Sequence, residues 1–315
     1  SLWPAGTRMA LTESGEIAGS VSGGCVDGDV IAEMEYVLGH RADVRRPAFG
    51  ISDEEAWDAG LSCGGSLELL VERWVPLHAV LCAEIEARRP VGFASRLDRS
   101  VHLLRQADRT TRGTLGSSDW DERVLQEITD AWPGPYAAKH RYAWGEVFVE
   151  VIPPPLRLVI FGATDIARAL VSFADLMDFD VVVSDARRAF LNATRFPGVE
   201  RRVGWPQKAV TSEELGSGCA VVVLFHDEKF DVPSLSLALR SQAFYVGLLG
   251  SRKTQAERRA ALKASGFSAH DLDRIHGPIG LDIGGRSPQM IALSIISEIV
   301  AVRHGRLGVM MSQRD

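Results

Sequence analysis

Cysteine is scarce in this sequence: Cys25, Cys63, Cys82 and Cys219 are all that 315 residues contain, and no two of them form a C-x-x-C pair. So few thiols in so long a chain make no disulfide framework, and a reducing, cytoplasmic setting is expected. Long apolar runs are also missing. No uncharged stretch approaches the roughly 18 to 20 residues that cross a bilayer, and the best candidate, Met290 to Ile296, is followed closely by Glu298, so no membrane association is expected. Positive charge is not in excess: 35 Lys and Arg against 41 Asp and Glu leave a net charge of -6. A surface that neutralises phosphates is therefore not expected, nor is a nucleic-acid partner. There is no convincing internal repeat or low-complexity segment. Gly250-Ser251-Arg252-Lys253-Thr254 lacks the second glycine that a P-loop places before its lysine. Ser1 is not an initiator methionine and no signal-type hydrophobic stretch follows it, which reads as a start inside a longer native chain.

What is present is enough apolar material, 46% of the residues, for two cores. Two domains are the default for this length. From Met9 to Val21 apolar runs break at Glu13-Ser14-Gly15-Glu16, the pattern of a hairpin. After Ser22-Gly23-Gly24-Cys25, residues Val26, Val30, Ile31, Met34, Val37 and Leu38 recur at helical spacing, with Gly39 in the C-capping position. Ser52 and Glu55 fit a capping box for a short helix ending at Gly60. Leu61-Ser62-Cys63-Gly64-Gly65 then leads into a strand over Leu67 to Val71. Helical spacing returns at Leu77 to Ile85 and at Val124 to Ile128, and Trp132-Pro133-Gly134-Pro135 is rich in turn formers. No chemical motif stands out between residues 76 and 146, and no metal site is expected. Pro153-Pro154-Pro155, after a strand at Val147 to Val151, forms a stiff linker. It separates a domain over 1–152 from one over 156–315.

Beyond the prolines, β-rich runs at Leu158 to Phe161, Val181 to Ser184, Ala220 to Phe225 and Phe244 to Leu249 alternate with helical patterns such as Ile166 to Met177. The expected fold class is α/β: a C-terminal Rossmann-type parallel sheet with helices on both faces, preceded by a separate mixed α/β domain. Ser287 and Pro288 open a closing helix that runs to Val302, with Gly305 after it, and its apolar residues on most faces predict extensive burial.

Several residues could carry chemistry. The turn Gly162-Ala163-Thr164-Asp165 joins a buried strand to a helix, where a dinucleotide pyrophosphate is held by backbone N–H groups, and Asp185 ends the next strand, about where a ribose hydroxyl pair is bound. NAD(P) is thus a candidate ligand. Thr164 weakens that reading, because it brings a Cβ to the second glycine position, and Asp165 adds a charge that repels phosphate. Cys25 lies at a helix N-terminus, where the dipole lowers a thiol pKa. Cys63 lies 38 residues further on in a loop of similar make-up. Two such thiols suit a soft metal centre, sulfur acceptance or an anionic ligand, and equally suit burial as small core residues. Cys82 and Cys219 read as core residues. His226 follows a buried strand at its C-terminal edge and either faces a cleft or meets solvent. Arg252 and Lys253 are placed to meet a phosphate, although with Arg258 and Arg259 they also make an ordinary solvated helix face. The glycine-rich Gly277 to Gly285 loop either approaches a ligand or packs tightly across the sheet edge.

Four phrases taken together, Gly19-Ser20-Val21-Ser22-Gly23-Gly24-Cys25-Val26, Gly60-Leu61-Ser62-Cys63-Gly64-Gly65, Gly247-Leu248-Leu249-Gly250-Ser251-Arg252 and Gly277-Pro278-Ile279-Gly280-Leu281-Asp282-Ile283-Gly284, resemble the XdhC/CoxI family of xanthine dehydrogenase accessory proteins. The resemblance implies a non-catalytic chaperone that binds molybdenum cofactor (molybdopterin), assists its sulfuration and inserts it into a xanthine dehydrogenase-type molybdenum hydroxylase. It implies cofactor binding at Ser22, Gly23, Gly24, Cys25, Cys63, Gly64 and Gly65, with Gly162 and Asp185 as further binding candidates. The implied partners are the client enzyme, a cysteine desulfurase and a second copy of the chain. Where the family turn reads Gly-x-Gly-His, this chain has Thr164 and Asp165 in place of the second glycine and the histidine.

Overall fold

The structure, a computed structural model, describes residues 4–22, 24, 26–40, 43–51, 65–306, 308–310 and 312. Contacts divide the chain into two units, residues 1–154 and 155–315.

In the first unit, β1 (Met9–Leu11) and β2 (Ile17–Gly19) form the expected antiparallel hairpin. The helix Asp27–His40 follows, with Val30 and Val37 buried. It runs through Gly39 instead of being capped there. His40 stacks on Tyr36 at 4.1 Å between ring centroids and carries the helix to its last residue. Next come β3 (Val44–Arg45), β4 (Ala48–Ile51), β5 (Gly65–Glu68) and β6 (Val71–Glu72). The single strand expected over Leu67 to Val71 is thus two: β5 pairs with β4, and β6 pairs with β3. The short helix expected from Ser52 to Gly60 lies outside the described residues.

The rest of this unit is a five-stranded antiparallel sheet built from β7 (Val91–Arg96), β8 (His102–Arg105), β9 (Thr111–Gly113), β10 (Tyr136–Tyr142) and β11 (Gly145–Ile152), in the order β10-β11-β7-β8-β9. Alternate residues of β7 and β8 point to opposite faces, and both faces are covered. On one, Ala94 and Leu103 meet Val124 and Ile128 of the helix Ser118–Ala131. On the other, Phe93 and Leu104 meet Leu81 of the helix Pro76–Glu86. Gly92 permits the close approach of the first helix, since a Cβ there would lie 2.3 Å from Ile128 Cγ2.

The second unit is a six-stranded parallel sheet of β12 (Arg157–Phe161), β13 (Asp180–Asp185), β14 (Glu200–Val203), β15 (Cys219–Val223), β16 (Tyr245–Leu248) and β17 (Ile275–His276), ordered β14-β13-β12-β15-β16-β17. A parallel sheet needs both faces buried, and the near-continuous apolar runs of its central strands provide for that. Phe161, Val221 and Val223 pack with Leu235 and Leu262, while Leu158, Ile160 and Val222 pack with Leu170, Ile295 and Ile299. Helices Glu228–Leu239 and Arg252–Ala264 therefore cover one face, and Asp165–Leu176 and Pro288–Arg303 the other. The closing helix begins as expected, with Ser287 accepting from the Met290 N–H and Pro288 in its first turn. It is less buried than its composition predicts, for Met290 and Leu293 are exposed. Among the described residues no helix is long and apolar enough to cross a membrane.

Candidate functional site

The strand order reverses between β12 and β15, and ligands of such sheets gather in the crevice beyond the strand ends at that point. Gly162 lies there with φ +111°, and a Cβ on it would come within 3.1 Å of the Leu224 carbonyl carbon and 3.2 Å of the Phe225 nitrogen. Only glycine allows β12 to turn so close to its neighbour. Asp185 is brought to the same turn, but it is fully buried. Its Oδ2 accepts from the Ala163 N–H at 2.8 Å and from Arg187 Nη2 at 2.8 Å, while Oδ1 accepts from the Arg187 N–H at 2.8 Å and Nε at 3.0 Å. Burial pushes its pKa up, yet the hydrogen bonds from Arg187 and Ala163 outweigh this and hold it below the usual carboxylate value. A ribose would have to displace the Arg187 guanidinium, which rests over the Phe190 ring at 4.6 Å.

The helix N-terminus is engaged as well. Thr164 caps it by accepting from the Ala167 N–H at 3.2 Å, and the Thr164 N–H donates to the Gly162 carbonyl at 2.9 Å. Asp165 pairs with Arg195 at 2.9 Å and with Arg168 at 3.6 Å. Two of the N–H groups that a pyrophosphate would use, those of Ala163 and Thr164, thus already have partners inside the protein.

The remaining candidates of this unit separate cleanly. His226 is exposed, as are Arg252 and Lys253. Arg258 is not part of a solvated face: it is buried and donates to Asp231 at 3.0 Å and Glu228 at 3.0 Å. Arg259 donates to the carbonyls of Leu272 and Ile275. The long aliphatic stems let both guanidiniums reach across to neighbouring elements, which helical spacing alone does not reveal. The Gly277 to Gly285 loop packs across the sheet edge. The Ile279 N–H donates to the Leu248 carbonyl at 3.1 Å, and the Gly280 N–H donates to Glu298 at 2.8 Å. A Cβ on Gly277 would meet Gln255 Oε1 at 2.1 Å. Cys219 is buried, which pushes its thiol up to about 12. Cys82, expected in the core, is exposed: it adjoins the buried Leu81 on the helix Pro76–Glu86 but points the other way.

In the first unit, Asp27 organises the glycine loop. The hydroxyls of Ser20 and Ser22 each donate to its carboxylate at 2.6 Å, and the Ser22 N–H does so at 3.1 Å. Burial raises the Asp27 pKa, but these bonds from Ser20, Ser22 and the Val21 N–H prevail and lower it. Ser22 Oγ in turn accepts from the Val26 N–H at 3.0 Å. Gly24 has φ +111°, and a Cβ there would meet nothing within 4 Å. Gly65 opens β5 opposite Ile51. Gly23, Cys25, Cys63 and Gly64 lie outside the described residues. The residues that flank both loops nonetheless meet: Val21, Val26 and Val30 form one apolar cluster with Phe49 and Leu67.

Sequence reading missed one group. Glu72, His78 and His102 converge, with Glu72 Oε1 3.3 Å from His78 Nε2 and Oε2 3.2 Å from His102 Nε2. Burial pushes the Glu72 carboxyl up, but the two imidazoles more than offset it and hold it down to about 2. Neither histidine lies within one helical turn of the other or of Glu72, so no local spacing announces the group.

The sheet order and the glycine turn at its reversal point define the second unit as a Rossmann domain. Residues 158–299 match the family model of the XdhC Rossmann domain, and residues 3–46 match that of the XdhC and CoxI family. Both matches point to the XdhC and CoxI family. A Bacillus subtilis protein named as a probable xanthine dehydrogenase subunit is 26% identical over 306 residues, covering 95% of this chain and 88% of that protein. The molybdenum cofactor insertion chaperone PaoD of Escherichia coli is 28% identical over 305 residues, covering 95% of this chain and 79% of its own length. The crystal structure of a xanthine dehydrogenase from Bacillus halodurans has the same fold, with a TM-score of 0.74 at 23% identity over 97% of this chain and 88% of that one.

Proposed function

We propose that this chain binds molybdenum cofactor in the cytoplasm and assists its sulfuration and insertion into a xanthine dehydrogenase-type molybdenum hydroxylase. The observation that carries the proposal is the match of two segments to the XdhC family models together with similarity over 95% of this chain to a protein named as a molybdenum cofactor insertion chaperone. The cofactor is held by residues of the segments 22–25 and 62–65. Support for that placement comes from Val21 and Val26, beside the first segment, and Leu67, beyond the second, which share a single apolar cluster. The thiols of Cys25 and Cys63 are soft donors suited to a molybdenum-sulfur centre. The client enzyme takes up the loaded cofactor, a cysteine desulfurase supplies the sulfur, and the chaperone acts as a homodimer.

Anaerobic titration of the purified full chain with molybdenum cofactor tests this. Binding should saturate in the wild type and weaken by about tenfold or more in Cys25→Ala and Cys63→Ala. Equal affinity in all three proteins would remove the thiols from the mechanism, and no binding to the wild type would remove the cofactor itself.

A second reading, an NAD(P)-dependent oxidoreductase, has the strand order and Gly162 in its favour. The engaged Asp185 carboxylate and the capped helix count against it. Calorimetry with NAD and NADP, with Asp185→Ala as control, should give no heat of binding. A saturable signal in the wild type that is lost in the variant would favour the oxidoreductase.

A further inference from the structure

We propose that Glu72, His78 and His102 form a binding site for one divalent transition-metal ion of the zinc class, separate from the two cysteine loops. Each residue comes from a different element: Glu72 ends β6, His78 lies in the first turn of the helix Pro76–Glu86, and His102 opens β8. One potential ligand atom from each lies within 4.8 Å of the others, the one such group of histidine, cysteine and carboxylate side chains among the described residues. Glu72 Oε1 lies 3.3 Å from His78 Nε2 and Oε2 lies 3.2 Å from His102 Nε2, so each imidazole faces its own carboxylate oxygen at about the spacing of neighbouring ligands on one ion. Bonds of the usual zinc length place neighbouring ligands about 3.3 Å apart.

His102 points to a ligand independently of this spacing. Its side chain is only 2% exposed, and Nε2 has no hydrogen-bond partner despite the nearby Glu72 oxygen. The carboxylate oxygen lies off the line of the ring N–H, as when two lone pairs converge on a third atom. Buried polar atoms are ordinarily satisfied, and a cation between Nε2 and the carboxylate satisfies both. The other ring nitrogen, Nδ1, is 3.0 Å from Ser95 Oγ, and Ser100 Oγ donates to Glu72 Oε2 at 3.0 Å. Such outer partners fix the orientation of metal ligands. Phe93 stacks on His102 at 5.2 Å and shields the site from one side. Glu72 and His78 remain partly open, at 12% and 15% exposure, and so leave an entry path.

Two imidazoles and one carboxylate select zinc-class ions over magnesium and calcium, which prefer all-oxygen sets. Three protein ligands leave a fourth position for water or an exchangeable group, unlike the closed four-ligand set of a structural zinc. Binding has one local cost. His78 Nδ1 accepts from the Val75 N–H at 3.2 Å, so coordination through Nε2 moves the ring proton to Nδ1 and releases that N–H.

The test uses the chelator-stripped full chain titrated with zinc(II) in competition with a chromophoric chelator. The wild type and Cys25→Ser/Cys63→Ser should each bind about one ion per chain with equal affinity, while His78→Ala and Glu72→Gln lose at least about tenfold. Cobalt(II) should give the visible bands of a four-coordinate nitrogen and oxygen site in the Cys25→Ser/Cys63→Ser protein. The Val75 amide resonance should shift on zinc addition. His102 is buried, so His102→Ala is judged only after its circular dichroism matches the wild type, and the partly exposed His78 and Glu72 carry the decision. Unchanged zinc affinity in His78→Ala and Glu72→Gln, loss of binding in the double cysteine variant, or no binding by the wild type overturns the proposal. None of these outcomes depends on whether molybdenum cofactor binds.

Discussion

Asp185 accepts two backbone N–H groups and both arms of Arg187, and it ties the glycine turn after β12 to the end of β13. Asp185→Ala leaves the buried Ala163 N–H without a partner and should lower the unfolding free energy by about 2 to 3 kcal/mol at neutral pH, measured in urea. The pH dependence follows from the sign of its shift. A carboxylate whose native pKa lies below 3.8 contributes fully above that value and loses its contribution as pH falls through the native pKa. The stability gap between wild type and variant should therefore close in acid, and a gap constant to about pH 2 would show that the ionised form is not what matters. The cysteines allow a second check at this scale. Cys82 is exposed, whereas the Cys219 thiol is buried and stays protonated at neutral pH. A thiol reagent at about pH 8 should label Cys82 in the native protein and reach Cys219 only after unfolding. Residue type made both look like core positions, and only the facing of each side chain separates them.

At the scale of elements, the helix Arg252–Ala264 is held by a charge that residue type alone assigns to solvent. Arg258 is buried against Asp231. Burial raises the Asp231 pKa, and the arginine opposes that rise. Removing one partner of a buried pair strands the other, so Arg258→Ala should cost about 3 to 5 kcal/mol. Arg252→Ala, at an exposed position of the same helix, should stay within about 0.5 kcal/mol. Equal effects of the two substitutions in urea unfolding would place Arg258 in solvent after all. β16 shows a constraint of shape. A Cβ on Gly247 would lie 2.4 Å from Ile279 Cδ1 and 2.8 Å from the Tyr245 ring. Gly247→Ala should therefore cost about 1 to 3 kcal/mol through overpacking, read as a lowered Tm. The phrase around Gly247 was legible as a family signature, but its physical cause, a loop laid across the strand, was not.

For the whole molecule, each unit carries its own apolar clusters, and the tryptophans are unevenly placed: six of seven precede residue 154, leaving Trp205 in the second unit. Tryptophan emission thus reports mainly on the first unit and far-ultraviolet circular dichroism on both. Ile295 of the closing helix is fully buried, and Ile295→Ala should destabilise the second unit by about 2 to 5 kcal/mol. The circular dichroism transition should move to lower denaturant while the main emission change stays in place. A joint shift of both signals would mean that the units unfold together.

Hydrophobic period, turn residues and caps act within a few positions of one another. The hairpin at Met9 to Gly19, the Ser287-Pro288 helix start and the strand-turn-helix at Gly162 were accordingly determined by sequence alone. Which oxygen Asp185 gives to which donor, whether Arg258 meets water or Asp231, and the meeting of Glu72 with His78 and His102 were decided only by tertiary structure. Those contacts join side chains from separate elements, and their energies depend on burial and on distances of a few ångströms that no linear spacing encodes.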